Sequence, residues 1–321
     1  MKSKRQKIFL IIGVVIGVFL LSIAGYGFYL YHSVSSTAAH VYKPLDGVTS
    51  DPLSKLSSSK LSSKKNLTKV AASSNGIAPN AINILLLGVD ERAGDKGRSD
   101  TMIVASLNPE KKSMMLTSIP RDTRVKIAGH SGYSKINAAY SYGNESLAVQ
   151  TVEKYLNIPI SYYIKVNMEG LSSLVNAFGG VTVKNDLDFT QNNFHYKIGT
   201  LHLTGAEALA YSRMRYDDPQ GDFGRNERQR EVIESLLDEG KSITTVPKIN
   251  KLLGVVGNNV KTNLTLNDMK KLATNYRQCR QSITNYEVQG TPKYLDGVSW
   301  VLVSNSEFNH VHQMILNSLK G

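Results

Sequence analysis

The chain reads as an α/β domain, helices layered on a mixed central β-sheet, preceded by one transmembrane helix. Three observations predict this. Ile82–Val89 (INILLLGV) is a continuous apolar run, the pattern of a strand buried on both faces. Strand-like and helix-like stretches then interleave as far as the C-terminus, as a layered α/β domain requires. Ile8–Tyr31 is a run of 24 residues without a charged side chain. As a helix it spans ~36 Å, enough to cross a hydrocarbon core of roughly 30 Å.

From the N-terminus, residues 1–7 carry Lys2, Lys4, Arg5 and Lys7. Positive charge on this side predicts a short cytoplasmic tail, a membrane helix over residues 8–31 and the remainder outside. Tyr26, Tyr29 and Tyr31 stand at the far end, where an aromatic belt belongs. The competing reading is a cleaved signal peptide ending at Thr37-Ala38-Ala39, but the apolar run is too long for a typical signal. Residues 32–80 are rich in serine and lysine, with SKLSSSKLSSKK at their heart, and predict a flexible spacer. Residues 81–321 hold a single outer domain.

Within that domain, Thr101–Asn108 and Ser113–Ile119 predict two strands joined by a turn at Pro109-Glu110-Lys111. Helical stretches follow at Asn137–Tyr142 and Glu145–Leu156, then a strand at Tyr162–Val166. A helix over Glu169–Phe178 is stopped by Gly179-Gly180 and leads to a strand at Val181–Lys184. Further helices are expected at Thr204–Met214, Asn226–Glu239, Leu266–Arg280 and Glu307–Leu319. Short strands are expected at Tyr286–Gln289 and Val301–Val303.

The formal net charge of +12 invites a nucleic-acid partner, but its distribution argues against one. Residues 1–7 carry +4, and residues 43–69, with six lysines against Asp46 and Asp51, carry another +4. The outer domain is left near balance, and basic flanks beside a membrane segment suit anionic lipid or wall polymer. Cys279 is the sole cysteine, which excludes a disulfide framework and a CxxC metal pair.

Three charged segments gather the chemistry. The first runs from Gly88-Val89-Asp90-Glu91-Arg92 through Arg98-Ser99-Asp100 at the end of the first strand, where open α/β sheets bind ligands. Asp90 and Asp100 flank this loop and are placed to converge on one hard cation together with phosphate oxygens. Loop capping is the alternative use for them. The second segment is Ser118-Ile119-Pro120-Arg121-Asp122-Thr123-Arg124, where Arg121 projects from a strand end or simply pairs with Asp122 or Asp100. The third spans Tyr211-Ser212-Arg213-Met214-Arg215, a Gly/Pro/Asp loop, and Arg225-Asn226-Glu227-Arg228-Gln229-Arg230. Asp222 is expected to cap the second helix, and Arg225 and Gln229 share one of its faces. Five arginines beside a helix N-terminus make a candidate anion site. A charge-laced exposed helix with Glu227, Glu231 and Glu234 accounts for Arg228 and Arg230, but poorly for Arg213 and Arg215. The apolar stretches Ala138–Tyr142 and Leu171–Phe178 are either core or the lining of a lipid cavity.

Taken in order, LLLGVDERAGDKGRSDTM, SIPRDTRV, KINAAYSYG, YYIKVNMEG, FGGV and LTGAEALAYSRMRYDDPQGDFGRNERQREVI resemble the LytR–CpsA–Psr family of Gram-positive envelope proteins. The likeness runs from about Ile82 to Ile233, and is greatest to members associated with wall teichoic acid. The resemblance implies a membrane-anchored phosphotransferase working outside the cell. Its donor is a glycopolymer on undecaprenyl pyrophosphate, its acceptor peptidoglycan, and its product a phosphodiester. It further implies Mg²⁺ (alternatively Mn²⁺) on Asp90 and Asp100, and a pyrophosphate-gripping set of Arg98, Arg121, Arg213, Arg215, Arg225 and Gln229. Arg121, Asp100 and Asp122 are the candidate catalytic groups, the two aspartates as possible bases. A lipid-pyrophosphate hydrolase and a non-catalytic envelope regulator are the alternatives. The regulator would need a cytoplasmic DNA-reading module, and seven residues cannot form one.

Overall fold

A computed structural model describes residues 26–46, 77–91, 94–240 and 246–321. Helix α1 covers residues 26–41. The outer domain opens with strands β1 (Ile82–Val89), β2 (Ser99–Asn108) and β3 (Ser113–Ser118), then the short pair β4 (Arg124–Val125) and β5 (Ser134–Lys135). Next come α2 (Ala138–Leu156), β6 (Tyr162–Asn167), α3 (Met168–Phe178), β7 (Val181–Asn185), β8 (Phe189–Gln191), β9 (Phe194–Tyr196) and β10 (Gly199–Leu203). Helices α4 (Gly205–Tyr211), α5 (Asp222–Glu239) and α6 (Val246–Asn259) lead to β11 (Val260–Thr262) and α7 (Leu266–Asn275). The chain finishes with β12 (Ser282–Glu287), the hairpin β13 (Thr291–Leu295) and β14 (Val298–Leu302), and α8 (Asn305–Leu319).

Six strands form the central sheet in the order β11-β6-β1-β2-β3-β12. β1 runs antiparallel to β2 and parallel to β6, so the sheet is mixed as expected. Side chains alternate across the strands, and the apolar run of β1 therefore supplies both faces. Leu85, Leu87 and Val89 pack with Met102 and Val104 against Val152 of α2 and Ile315 of α8. Ile82 and Ile84 turn the other way, toward Cys279, Leu272 and Leu237. Cys279 is fully buried and serves as core. A third cluster joins Val175 of α3, Val181 of β7, Tyr211 of α4 and Val232 of α5, building a lobe beside the sheet.

Local chemistry sets the ends of α3. The side chain of Asn167 accepts the Gly170 amide at 2.7 Å, and Gly179, with φ of 101°, takes the left-handed conformation that closes the helix. The two helical stretches expected before β6 form within α2, whose backbone leaves helical geometry at Gly143 and Asn144, between them as expected. Asp222 does not cap α5: Gly221 holds that position with φ of 58°, a conformation that suits glycine, and Asp222 is the first helical residue.

The membrane segment expected over residues 8–31 lies outside the described residues up to residue 25. Among the described residues no helix is long and apolar enough to cross a membrane. The expected spacer over residues 32–80 needs correction at both ends. Residues 32–41 continue helix α1, with Ala38 and Val41 buried. The Lys43 amide donates to the Thr262 carbonyl at 2.8 Å, extending the β11 edge, and Lys43 Nζ pairs with Glu145 at 2.6 Å. The Asp46 amide reaches Ser146 Oγ at 2.9 Å. At the other end the Ala78 amide bonds the Leu319 carbonyl. Residues 47–76 lie outside the described residues.

Candidate active site

Five chain segments meet at one end of the central sheet. β1 and β6 end there, β2 begins there, and β3 runs out through Ile119 and Pro120 into Arg121. The turn between α4 and α5 arrives from the side lobe. Gly224 allows this turn to close: a Cβ there would run into the Asp218 carboxylate.

Two connected hollows result. One is apolar, with about 790 Å³ of empty space counted out to its open mouth. Leu86, Ile164, Leu171, Leu174, Val232 and Leu236 supply its walls from β1, β6, α3 and α5. The other is polar and lined by Arg121, Arg213, Arg215 and Arg225, with Asp100, Gln229, Met168 and Tyr216 completing it. Met168, Arg213 and Gln229 line both, so the basic hollow sits at the mouth of the apolar one. An apolar cavity with a few convergent polar groups at its opening is the usual form of a ligand site. Here the opening is cationic and the depth is oily.

The arginines are unevenly neutralised. Arg121 donates through Nη1 to Asp100 at 2.8 Å, and its Nε stands 3.9 Å from Asp222. Burial pulls its pKa down, but Asp100, Asp222 and Asp122 outweigh that and the net shift is upward. Arg225 goes the other way. Burial lowers it first; Asp222 and, more weakly, Asp100 oppose, while Arg121 and Arg215 lower it further, and the net shift is downward. Arg225 Nη2 approaches Asp222 to 2.7 Å, yet at an angle that makes no hydrogen bond. Its Nε and Nη2, and Arg121 Nε, are buried donors without a hydrogen-bond acceptor. Such donors are costly to leave unmet, and a multiply charged oxyanion is the acceptor that suits them. Arg215 lies over the Tyr216 ring at 4.5 Å and donates to its hydroxyl, while Arg213 stands 3.8 Å from Asp90.

A profile of the LytR_cpsA_psr family matches residues 40–316. The chain belongs to the LytR–CpsA–Psr family. It is 41% identical over 320 residues to the polyisoprenyl-teichoic acid–peptidoglycan teichoic acid transferase TagU of Enterococcus faecalis, covering 99% of each chain. The crystal structure of Bacillus subtilis TagU superposes with a TM-score of 0.62 at 35% identity, over 75% of this chain and 97% of that one. A structure of TagT bound to LI-WTA gives 0.63 at 30% identity, over 74% and 90%.

Within this LytR–CpsA–Psr domain, six of the expected site residues line the basic hollow: Asp100, Arg121, Arg213, Arg215, Arg225 and Gln229. Asp90 stands beside it through Arg213. Arg98 is exposed and lies outside the lining; its carbonyl accepts the Asp90 amide at 3.2 Å. Asp122 also lies outside, paired with Lys135 at 2.9 Å. Arg92 is not among the described residues. Among those that are, no three His, Cys, Asp or Glu side chains gather into a metal cluster. Asp90 and Asp100, on neighbouring strand ends, suit a hard cation only if phosphate oxygens supply further ligands.

Arg228 and Arg230 are not on an exposed charged face. Arg228 is buried against Asp218 at 2.7 Å and the Met214 carbonyl at 2.7 Å. Arg230 donates to Ser118 Oγ at 2.7 Å and stands 3.3 Å from Glu287, whose carboxyl burial pushes up to about 7. Sequence reasoning missed Met168, Tyr216 and Asn137, whose Nδ2 reaches Asp100 at 3.4 Å. Tyr216 had a signal, since it directly follows Arg215. Asn137 and Met168 had none beyond their place at the start of a helix.

Proposed function

We propose that this chain transfers a wall teichoic acid polymer from a polyprenyl-pyrophosphate carrier to a hydroxyl of peptidoglycan. The observation that carries this is the join between the two hollows: an oily cavity opens directly into a basic one, as a prenyl chain ending in pyrophosphate requires. The name of the E. faecalis relative, at 41% identity over nearly the whole chain, supports the same donor and acceptor.

In this reading the prenyl chain lies along Leu171, Leu174 and Leu236. Arg121, Arg215 and Arg225 grip the phosphates, with Arg213 and Gln229 where lipid gives way to charge. The acceptor oxygen bonds to the polymer-side phosphorus, the bridging P–O bond breaks, and prenyl phosphate leaves with its electron pair. Phosphoryl transfer asks mainly for alignment and charge neutralisation, which fixed guanidinium forks provide. Asp100, hydrogen-bonded to Arg121, is the carboxylate nearest the phosphates and the better placed of the two candidate bases. Asp90 and Asp100 would hold Mg²⁺, which when bound adds positive charge against the phosphates. Residues 8–31 would anchor the enzyme in the membrane as a single pass, with the domain on the outer side.

The test uses the full chain in vesicles with polyprenyl-pyrophosphate-linked teichoic acid and peptidoglycan oligomers. The expected product is a phosphodiester conjugate. Polymer phosphate released to water with no conjugate would replace transfer by hydrolysis.

A further inference from the structure

The apolar and basic hollows account for the donor but leave the acceptor without a place. A cluster on the far side of Arg121 fits one. Three residues after Arg121, Arg124 lies over the Tyr133 ring with its guanidinium carbon 3.8 Å from the centroid, and 5.7 Å from that of Trp300. Lys126 Nζ is 5.5 Å from the Tyr133 ring. Tyr133 is nonetheless 52% exposed. Solvated tyrosine held rigid by a stacked guanidinium is a poor way to stabilise a fold, because the ring buries little area. It is a good way to present an aromatic face.

This platform is tied to the site by backbone. The Val301 amide donates to the Asp122 carbonyl at 2.9 Å, which brings β14 and Trp300 alongside the segment leaving Arg121. The Asn137 amide donates to the Arg121 carbonyl at 3.3 Å, closing the β4–β5 pair onto the same residue. Three residues of chain reach at most ~10 Å, which bounds the Cα separation of Arg121 and Arg124. The platform also lies across the sheet from the apolar cavity. Leu86 and Ile164, which line the cavity, belong to one face of the sheet; Val125 and Ile136, which flank the platform, pack into the cluster on the other.

From this arrangement we propose that Tyr133, Arg124 and Trp300 form the subsite for the acceptor glycan, stacking a pyranose ring of the peptidoglycan strand. The inference rests on the transfer reading above. In-line displacement brings the nucleophile in opposite the leaving group. With the prenyl phosphate leaving toward the apolar cavity, the acceptor enters from the far side of Arg121, where the platform stands. The weakly positive C–H face of a pyranose complements the negative face of an aromatic ring. Arg124 and Lys126 add positive charge beside it, complementary to the carboxylates of peptide stems.

Trp300 is the only tryptophan of the chain, so its emission reports the subsite directly. The full chain in vesicles is titrated with uncross-linked peptidoglycan oligomers, and initial transfer rates are measured in parallel. Saturable change in Trp300 emission is expected with oligomers and not with the lipid-linked donor. Tyr133→Ala should weaken that titration and raise the KM for acceptor by roughly three- to tenfold. The donor KM and the rate at saturating acceptor should hold, and Tyr133→Phe should behave as wild type. An acceptor KM unchanged in both Tyr133→Ala and Trp300→Phe, with Trp300 emission indifferent to oligomers, overturns the subsite. So does a change confined to the donor KM. Saturable emission changes without any conjugate would instead sink the transfer reading and leave the glycan site standing.

Discussion

Arg225 and Arg228 lie one turn apart on α5, both nearly buried, and they do different work. Arg228 has a buried partner of its own, Asp218, and a backbone carbonyl besides. Arg230, two residues on, is matched by Glu287 and Ser118. Arg225 shares Asp222, and more weakly Asp100, with Arg121 and faces further positive charge from Arg121 itself and Arg215. A buried guanidinium whose acids are counted out to it holds the fold together. One that shares its acids and lacks an acceptor at two nitrogens, where Arg228 and Arg230 lack one only at Nε, is suited to an anion. The contrast sets Arg225 apart, within a single helix, as the candidate anion-binding arginine.

Breaking the structural side should have the largest effect. Arg228→Met leaves Asp218 buried and unpaired, and loss of one partner from a buried ion pair costs about 3–5 kcal/mol. Thermal unfolding should shift sharply downward, and activity should be lost through unfolding. Equal stability in this variant would erase the distinction. Arg225→Ala should do the converse: the transfer barrier rises by about 2.7–4 kcal/mol, roughly a hundred- to thousandfold in rate, while the melting temperature holds or rises. Arg121→Ala should lose transfer similarly, though it also frees Asp100. A folded Arg225→Ala enzyme with wild-type rate would remove the anion role from the residue that defines it.

The Glu287 partnership makes a prediction in pH. Its carboxyl is raised to about 7 in the folded chain, against about 4.3 for an unperturbed glutamate. The folded state therefore holds the proton more tightly, and this contribution is fully present below about pH 4 and lost as pH rises through 7. Stability should decline across that window by up to about 3 kcal/mol from this group, and Glu287→Gln should flatten the slope in urea melts taken at each pH. The smallest effect is expected at the half-exposed rim. Arg213→Lys keeps the charge but loses the fork, and should cost transfer about threefold with no change in melting.

Much of this frame was legible in the sequence. The apolar β1 marked the sheet centre, and Gly179 marked the end of α3. The Arg213/Arg215/Arg225 cluster pointed to residues that the fold gathers around one polar hollow. What escaped was what depends on distant partners. Arg228 and Arg230 read as surface because Glu227, Glu231 and Glu234 surround them in sequence, whereas their true partners are Asp218 in the preceding turn and Glu287 on β12. Helix α6, VPKINKLLGVVGNN, carries proline, β-branched and glycine residues that disfavour helix in isolation; packing beside α3 overrides them. The docking of residues 37–46 rests on Thr262 and Glu145, far along the chain, which no local pattern announces.

That docking changes what the serine- and lysine-rich stretch is for. Asp46 and Ile77, its described neighbours on either side, both rest on the domain, the first at Ser146 and the second at Lys320. Residues 47–76 therefore start and finish on the same body. The domain is then approached from the N-terminal side by α1, whose Ala38 and Val41 are already buried in it. Doubling the length of residues 47–76 should cost only about 0.6 kcal/mol in closure entropy, and thermal melting of the lengthened chain checks it.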